Sequence, residues 1–322
     1  MIYIEVTERR AGEAYADFCL YLPAGKSRFL QYRFVYVERP EKADLCYDVG
    51  PNDPANSRLY RIREAFIGRL SEGHFAPDYR ILQYGEIGFA MQEEGAGDYV
   101  GGVHGDEVAD TILLMGDGTA IPLDAPFFGA YTEITLLQKS VIFRCNTPST
   151  PLCLHEQCYT LRGGEMTLAH RVEFLRDANR LVAACMPMLT IERLDPADPS
   201  HRLTDLISFY DREGGSLVAT LDTTPYGTTP PEGLSSSCLR GTPATAVVAI
   251  GRESGVMAEA GLRLPSGSPL LGRVRSSVWI RYGNDYDSKV YFDVGGKTAP
   301  RCGEVWETEA YYRITVDEKI LT

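Results

Sequence analysis

No run in this sequence approaches the roughly 18 apolar residues that a membrane-spanning helix requires. The first residues, Met1-Ile-Tyr-Ile-Glu-Val6, read as a strand and lack the basic, then apolar layout of a secretory leader. Excess positive charge is missing too: 32 Lys and Arg face 44 Asp and Glu, a net charge of −12. Such a surface repels phosphate backbones and anionic lipid heads, so neither nucleic acid nor a membrane is an expected partner. Together these absences predict a soluble chain, cytoplasmic or associated with a phage particle.

No Cys-x-x-Cys pair occurs among the eight cysteines, Cys19, Cys46, Cys145, Cys153, Cys158, Cys185, Cys238 and Cys302. This argues against a zinc ribbon, and the apolar strand positions of several of them predict buried free thiols. There is no P-loop, no dinucleotide fingerprint and no G-x-S-x-G elbow. Asn284-Asp-Tyr-Asp287 lacks the Gly and distal Glu of an EF-hand loop and reads as a turn. Neither a metal nor an organic cofactor is expected. No linker, short-period repeat or low-complexity tract divides the 322 residues. The reading is one domain over 1–322, with 1–80 as an N-terminal strand-and-helix extension packed on it.

What the chain does have is ordinary globular composition, 44% apolar and 24% charged, with 19 Tyr and 31 Gly. Short β-branched and aromatic runs recur between Gly, Pro and Asp turns, which is the pattern of an all-β protein. Phe29–Val37, Arg80–Tyr84 and Ile87–Met91 predict strands, and Thr111–Met115 with Ala120–Leu123 predicts a hairpin. Thr132–Asn146, Cys153–Leu161, Met166–Leu175 and Leu181–Ile191 predict consecutive long strands joined by tight turns, hence antiparallel meanders. Ser276–Tyr282, Lys289–Val294 and Val305–Val316 repeat the pattern. Helix is scarce. Ser57–Leu70, with Leu59, Ile62, Ala65, Phe66 and Arg69 near helical spacing and Asn56 or Ser57 as cap, predicts one short helix, and His201–Asp211 a second. Thr220–Ser237 predicts a long loop, of the kind that often forms a lid or rim. The expected fold is a large antiparallel β-sandwich, all-β, with one or two short helices.

Chemistry is most sharply indicated at Asp98-Tyr-Val-Gly-Gly-Val-His-Gly-Asp-Glu107. Glycines on both sides of His104 allow a sharp turn that presents its imidazole, the side chain suited to proton transfer near neutral pH. Asp106 or Glu107 would orient the ring or act as a second acid or base. On a strand, His155, Gln157 and Tyr159 point the same way and would form a wall of a sugar site. His170 alternates with Leu168 and Val172 on an apolar face and reads as a core histidine. Trp279 and Arg281 share one strand face, and Lys289 and Tyr291 another. A hairpin would gather them: aromatic rings stack on sugars, cations neutralise a uronate carboxylate, and a Tyr near a cation can serve as acid or base. The expected catalytic residues are therefore His104, Glu107, His155 and Tyr291. Asp106, Gln157, Tyr159, Trp279, Arg281 and Lys289 are the expected substrate contacts. Were a metal bound, His104, Asp106, Glu107 and His155 would be its donors.

The strand carrying His155, the Gly turn after it and the long strand to Phe174 resemble, in layout, the central sheet of galactose-mutarotase-like β-sandwiches. The likeness runs over roughly residues 80 to 316. That architecture is shared by sugar epimerases and by domains of polysaccharide lyases and hydrolases. The resemblance implies a concave sugar groove in which His104 and His155 are the histidines and Glu107 a carboxylate. It points to a carbohydrate partner and a lyase-like or epimerase-like reaction on a sugar or uronate polymer. The other reading is a non-catalytic sugar-binding or structural β-sandwich, such as a phage component, in which the glycine-histidine turn is architectural.

Overall fold

In the segment Glu133–Arg144, buried and half-exposed side chains alternate, and in Glu165–Phe174 they do so again. A period of two puts every second side chain on one face of a pleated strand, so each segment has a core side and a solvent side. A computed structural model describes residues 1–38, 57–83, 86–212, 215–283 and 286–317, and strands dominate it. Cys46, the candidate cap Asn56, and Asn284 and Asp285 of the expected turn lie outside the described residues.

The strands in the first third are β1 Ile2–Val6, β2 Phe18–Pro23, β3 Phe29–Glu38, β4 Ser57–Ser71, β5 His74–Gln83, β6 Ala90–Glu93 and β7 Glu107–Gly116. The middle adds β8 Thr119–Ala120, β9 Phe127–Tyr131, β10 Glu133–Arg144, β11 Thr147–Arg162, β12 Glu165–Phe174 and β13 Leu181–Glu192. The last third adds β14 Leu206–Tyr210, β15 Leu217–Asp222, β16 Ser237–Thr242, β17 Ala246–Ile250, β18 Val256–Arg263, β19 Arg275–Ile280, β20 Asp287–Asp293 and β21 Val305–Val316.

Among the described residues these strands form a 16-stranded sheet and a 5-stranded sheet. The larger runs β15-β14-β17-β18-β21-β12-β11-β10-β7-β4-β3-β2-β1-β9, with β5 on β4 and β8 on β7. The smaller runs β16-β19-β20-β13-β6. The pairs are antiparallel except β4 with β7, where Ser57 and Arg58 run parallel to Glu107 and Val108. The expected meander is present as β10-β11-β12, and β13 then crosses to the smaller sheet. Inward side chains of the two sheets share one core: Leu136, Tyr159, Leu168 and Val172 from the larger, Met186, Leu189, Val278 and Val290 from the smaller. Residues 1–38 are part of the same layer, because β1, β2 and β3 join the larger sheet through β4.

The two expected helices are strands. Between Arg33 and Phe34 the β3–β4 register shifts, so Arg33 faces Glu64 and Phe34 faces Ile62, leaving Arg63 as an extra residue. A bulge of this kind resets the period of two. The buried positions Ile62 and Ala65 thus fall three apart and imitate a helical stripe, although β4 is paired to β3 and β5. His201–Asp211 contains β14, whose Ile207 and Phe209 alternate into the core between β15 and β17. Among the described residues no helix is long and apolar enough to cross a membrane.

Candidate functional site

The outer face of the smaller sheet carries a second, small apolar cluster of Ala90, Cys185 and Met188, with Tyr99, Ala183 and Tyr291 packed on it. Strand register makes this face. Thr190, Lys289 and Trp279 lie opposite one another across β13, β20 and β19, and Met188, Tyr291 and Ser277 form the adjacent row. The β13–β20 register shifts between Cys185 and Met188. Pro187 lies within that stretch and has no N–H to give a ladder.

The chain after β6 folds back over this face. Met91 and Val100 form a bridge, and Gly102–His104 make one 3-10 turn. Gly101, Gly102 and Gly105 have φ of 93°, 54° and 84°, conformations that favour glycine. A Cβ on Gly102 would lie 2.9 Å from the Phe89 carbonyl oxygen, so close approach also requires glycine there. The turn brings His104 against Tyr99, ring centroids 5.1 Å apart.

A cavity of about 370 Å3 opens here, lined by Tyr99, His104, Trp279, Arg281, Lys289 and Tyr291 over the apolar floor. Behind the lining sits Glu86, 1% exposed. Its carboxylate accepts hydrogen bonds from the Lys289 ammonium, from Tyr291 Oη at 2.6 Å and from Thr190 Oγ1 at 3.3 Å. Arg281 pairs bidentately with Asp287, which is fully buried. Burial raises the Asp287 carboxyl against the opposing pull of Arg281. Burial lowers the His104 imidazole below its usual value; Glu86 and Asp98 oppose this, while Lys289 and Arg61 reinforce it. Burial, with the nearby Cys185, Asp293, Asp98 and Glu86, pushes the Tyr99 phenol up to about 12. The cavity therefore offers a neutral imidazole, the protonated Tyr99 phenol, the Tyr291 hydroxyl that donates to Glu86, and two cations each matched by a buried carboxylate.

The sequence-derived candidates divide between this cavity and the core. His104, Trp279, Arg281, Lys289 and Tyr291 converge on the cavity. Asp106, Glu107, His155, Gln157 and Tyr159 are buried beneath the sheet and do not line it. Asp106 accepts the Asn146 N–H at 3.0 Å and its carbonyl accepts the Phe143 N–H at 2.8 Å, pinning the turn to the end of β10. His155, Gln157 and Tyr159 do share a face, as expected, and that face is the core side. His155 Nδ1 lies 2.7 Å from Glu107 and its Nε2 lies 2.8 Å from His170 Nδ1. Glu107 would be raised by burial, but attraction to His155 and hydrogen bonds from His155, Ser140 and Gly102 bring it below the ordinary range. His170 is pushed well below the usual imidazole value by burial and by His155. Among the described residues no cluster of three or more His, Cys, Asp or Glu is placed to hold a metal.

Glu86 and Tyr99 escaped the sequence reading. Tyr99 lies inside the segment already singled out. The signal for Glu86 was a carboxylate directly before the apolar run Ile87–Met91, where a buried charge implies a buried partner.

No protein-family model and no curated protein matches this chain. Among solved structures it is similar to the galactose 1-epimerase of Lactobacillus acidophilus, at 8% identity and a TM-score of 0.41, over 98% of this chain and 99% of that one. It is also similar to a putative aldose 1-epimerase of Escherichia coli, at 12% identity and a TM-score of 0.38, over 94% of this chain and all of that one. A GH36 α-galactosidase of Geobacillus stearothermophilus matches at 12% identity and a TM-score of 0.42 over 97% of this chain, which spans 41% of that enzyme's length. The architecture of this chain is read from its own strands and sheets, and its chemistry from its own cavity.

Proposed function

We propose that the cavity binds a neutral sugar and that the protein is an epimerase-like enzyme working by acid–base proton transfer. One observation carries the reading: Tyr99 and His104 from the glycine turn meet Trp279, Arg281, Lys289 and Tyr291 of the hairpin around one cavity of about 370 Å3. That volume lies within the roughly 300–1,000 Å3 of small-ligand sites. Aromatic side chains supply stacking faces, and the polar groups among them supply oriented hydrogen bonds.

His104, held below the ordinary imidazole range, is the base that takes a proton from the anomeric hydroxyl. Lys289 and Tyr291, joined through Glu86, are the acid side that protonates the ring oxygen. The ring opens, the carbonyl carbon rotates, and closure with the proton transfers reversed gives the other anomer. Charge balance favours this over elimination on a uronate polymer. A uronate carboxylate would compete with Glu86 for Lys289 and with Asp287 for Arg281, both buried partners already in place.

Polarimetry of freshly dissolved pure anomers, run beside calorimetric binding of neutral hexoses and hexuronates, tests the reading. Wild-type protein is expected to bind the neutral sugar and accelerate its mutarotation. His104→Ala is expected to bind and not accelerate. Binding without acceleration by wild type would leave a sugar-binding protein, and preference for the uronate would overturn the charge argument.

A further inference from the structure

We infer that Glu107 and His155, wholly inside the core, are positioning residues that set the aim of His104 from behind. For catalysis this rests on the proposed role of His104; the geometry stands by itself. Glu107 Oε2 accepts the Gly102 N–H at 2.6 Å, and Gly102 is the first residue of the turn that ends at His104. Glu107 Oε1 is held by Ser140 Oγ at 2.5 Å and by His155 Nδ1 at 2.7 Å. Both carboxylate oxygens are thus committed, one to the turn and one to the core.

A second route joins the same groups. The Phe89 ring lies 5.1 Å from the His155 ring, while its carbonyl oxygen and ring crowd Gly102 and Gly101, respectively, where their Cβ atoms would be. The buried imidazole therefore fixes the turn by a hydrogen-bonded path and by a packed one. A charge-assisted hydrogen bond in a low-dielectric interior is short and directional, which suits it to holding one backbone N–H in place. Tyr99 supports the ring of His104 from the cavity side. A buried carboxylate is costly, and here each of its three donors comes from a different segment, the turn, β10 and β11. Loosening that grip lets water reach His104.

The readout is the titration of the His104 ring by NMR on protein carrying 13C-labelled histidine. Only five histidines are present, and His104→Gln identifies the signal. Glu107→Ala is expected to move the His104 titration up toward about 6.5, the usual imidazole value, and to lower kcat about tenfold or more with little change in KM. Glu107→Gln, whose amide oxygen can still accept the Gly102 N–H, is expected to restore most of both. Ser140→Ala keeps Glu107 on Gly102, removes one donor and serves where Glu107→Ala does not fold. It is expected to raise the His104 titration by about 0.3 pH units or more. A folded variant that loses thermal stability while His104 titrates as in wild type would overturn the inference. Because the titration needs no substrate, an inactive wild type would remove the epimerase reading and still leave this one to be judged.

Discussion

The Tyr291 phenol donates to Oε2 of Glu86 over 2.6 Å, joining residues 205 positions apart in the chain. The Lys289 ammonium holds the other oxygen of that carboxylate. Removing the phenol hydroxyl leaves Glu86 paired, so Tyr291→Phe is expected to fold normally. Sugar binding should stay within about threefold, while turnover falls about 10²-fold, the usual worth of a positioned proton donor. Steady-state kinetics with a parallel binding isotherm separates the two effects.

Glu86→Gln acts differently, because it removes the carboxylate paired with the nearly buried Lys289, leaving Asp287 as a weaker nearby negative charge. Breaking a buried pair from one side costs about 3–5 kcal/mol. Urea unfolding should show a loss near the lower end, since Lys289 keeps an edge on the cavity. An unchanged midpoint would show that this pair contributes nothing to stability.

The chain has two tryptophans, and they report different places. Trp306 is fully buried and packs edge-on to Phe174, centroids 5.0 Å apart. Trp279 is 44% exposed at the cavity, with the Arg240 guanidinium 5.5 Å from its ring. Sugar binding should therefore change tryptophan fluorescence through Trp279 alone. Trp279→Phe should abolish the response, and Trp306→Phe should leave it intact.

Stability should fall on the acid side in two stages. His104 and His170 are both held below the ordinary imidazole value of 6.5, so the unfolded chain binds their protons more readily than the folded one. Their contribution is complete above that value and is lost as the pH drops below about 6.5 toward the folded values. Glu107, net-lowered from 4.5, adds a second loss as the pH falls below that value. Urea midpoints should be flat from about pH 8 to 7 and decline from about 6.5 downward. His170→Leu should shallow the first decline, and a decline unchanged by that substitution would assign it elsewhere.

Arg193 is fully buried and donates to the carbonyls of Tyr226, Gly227 and Arg281, at 2.5, 3.4 and 2.8 Å. It ties the loop after β15 to the residue that follows β19 and lines the cavity. Burial lowers it to about 10, which keeps it charged at neutral pH. Arg193→Met should cost about 4 kcal/mol or more, since three hydrogen bonds from a charged group are lost, each worth about 1.5–3 kcal/mol, and the carbonyls lose their partner. It should also weaken sugar binding, read by calorimetry at a temperature where the variant is folded.

Much of the strand plan could be read along the chain, because alternation is a local property. Glu133–Arg144 and Glu165–Phe174 announce their own core faces. Ser57–Ser71 could not be read this way: the extra residue Arg63 exists only by reference to β3, and without that partner the spacing looks helical. The same limit divides the candidate site. The Trp279, Lys289 and Tyr291 faces followed from one hairpin, and the glycine turn marked His104. That His155, Gln157 and Tyr159 face one way was also local. That this way is inward depends on a second sheet covering them.

The sequence by itself determined which side chains share a strand face, where the glycines force turns, and that the chain is built of strands. Only the tertiary structure decided that the glycine turn lies on the outer face of the smaller sheet, that Glu86 stands behind Lys289 and Tyr291, and that Glu107 points away from the cavity. The reason is physical. Periodicity fixes the direction of a side chain relative to its own backbone, whereas burial, charge pairing and cavity shape depend on segments that meet only when the two sheets close on a common core.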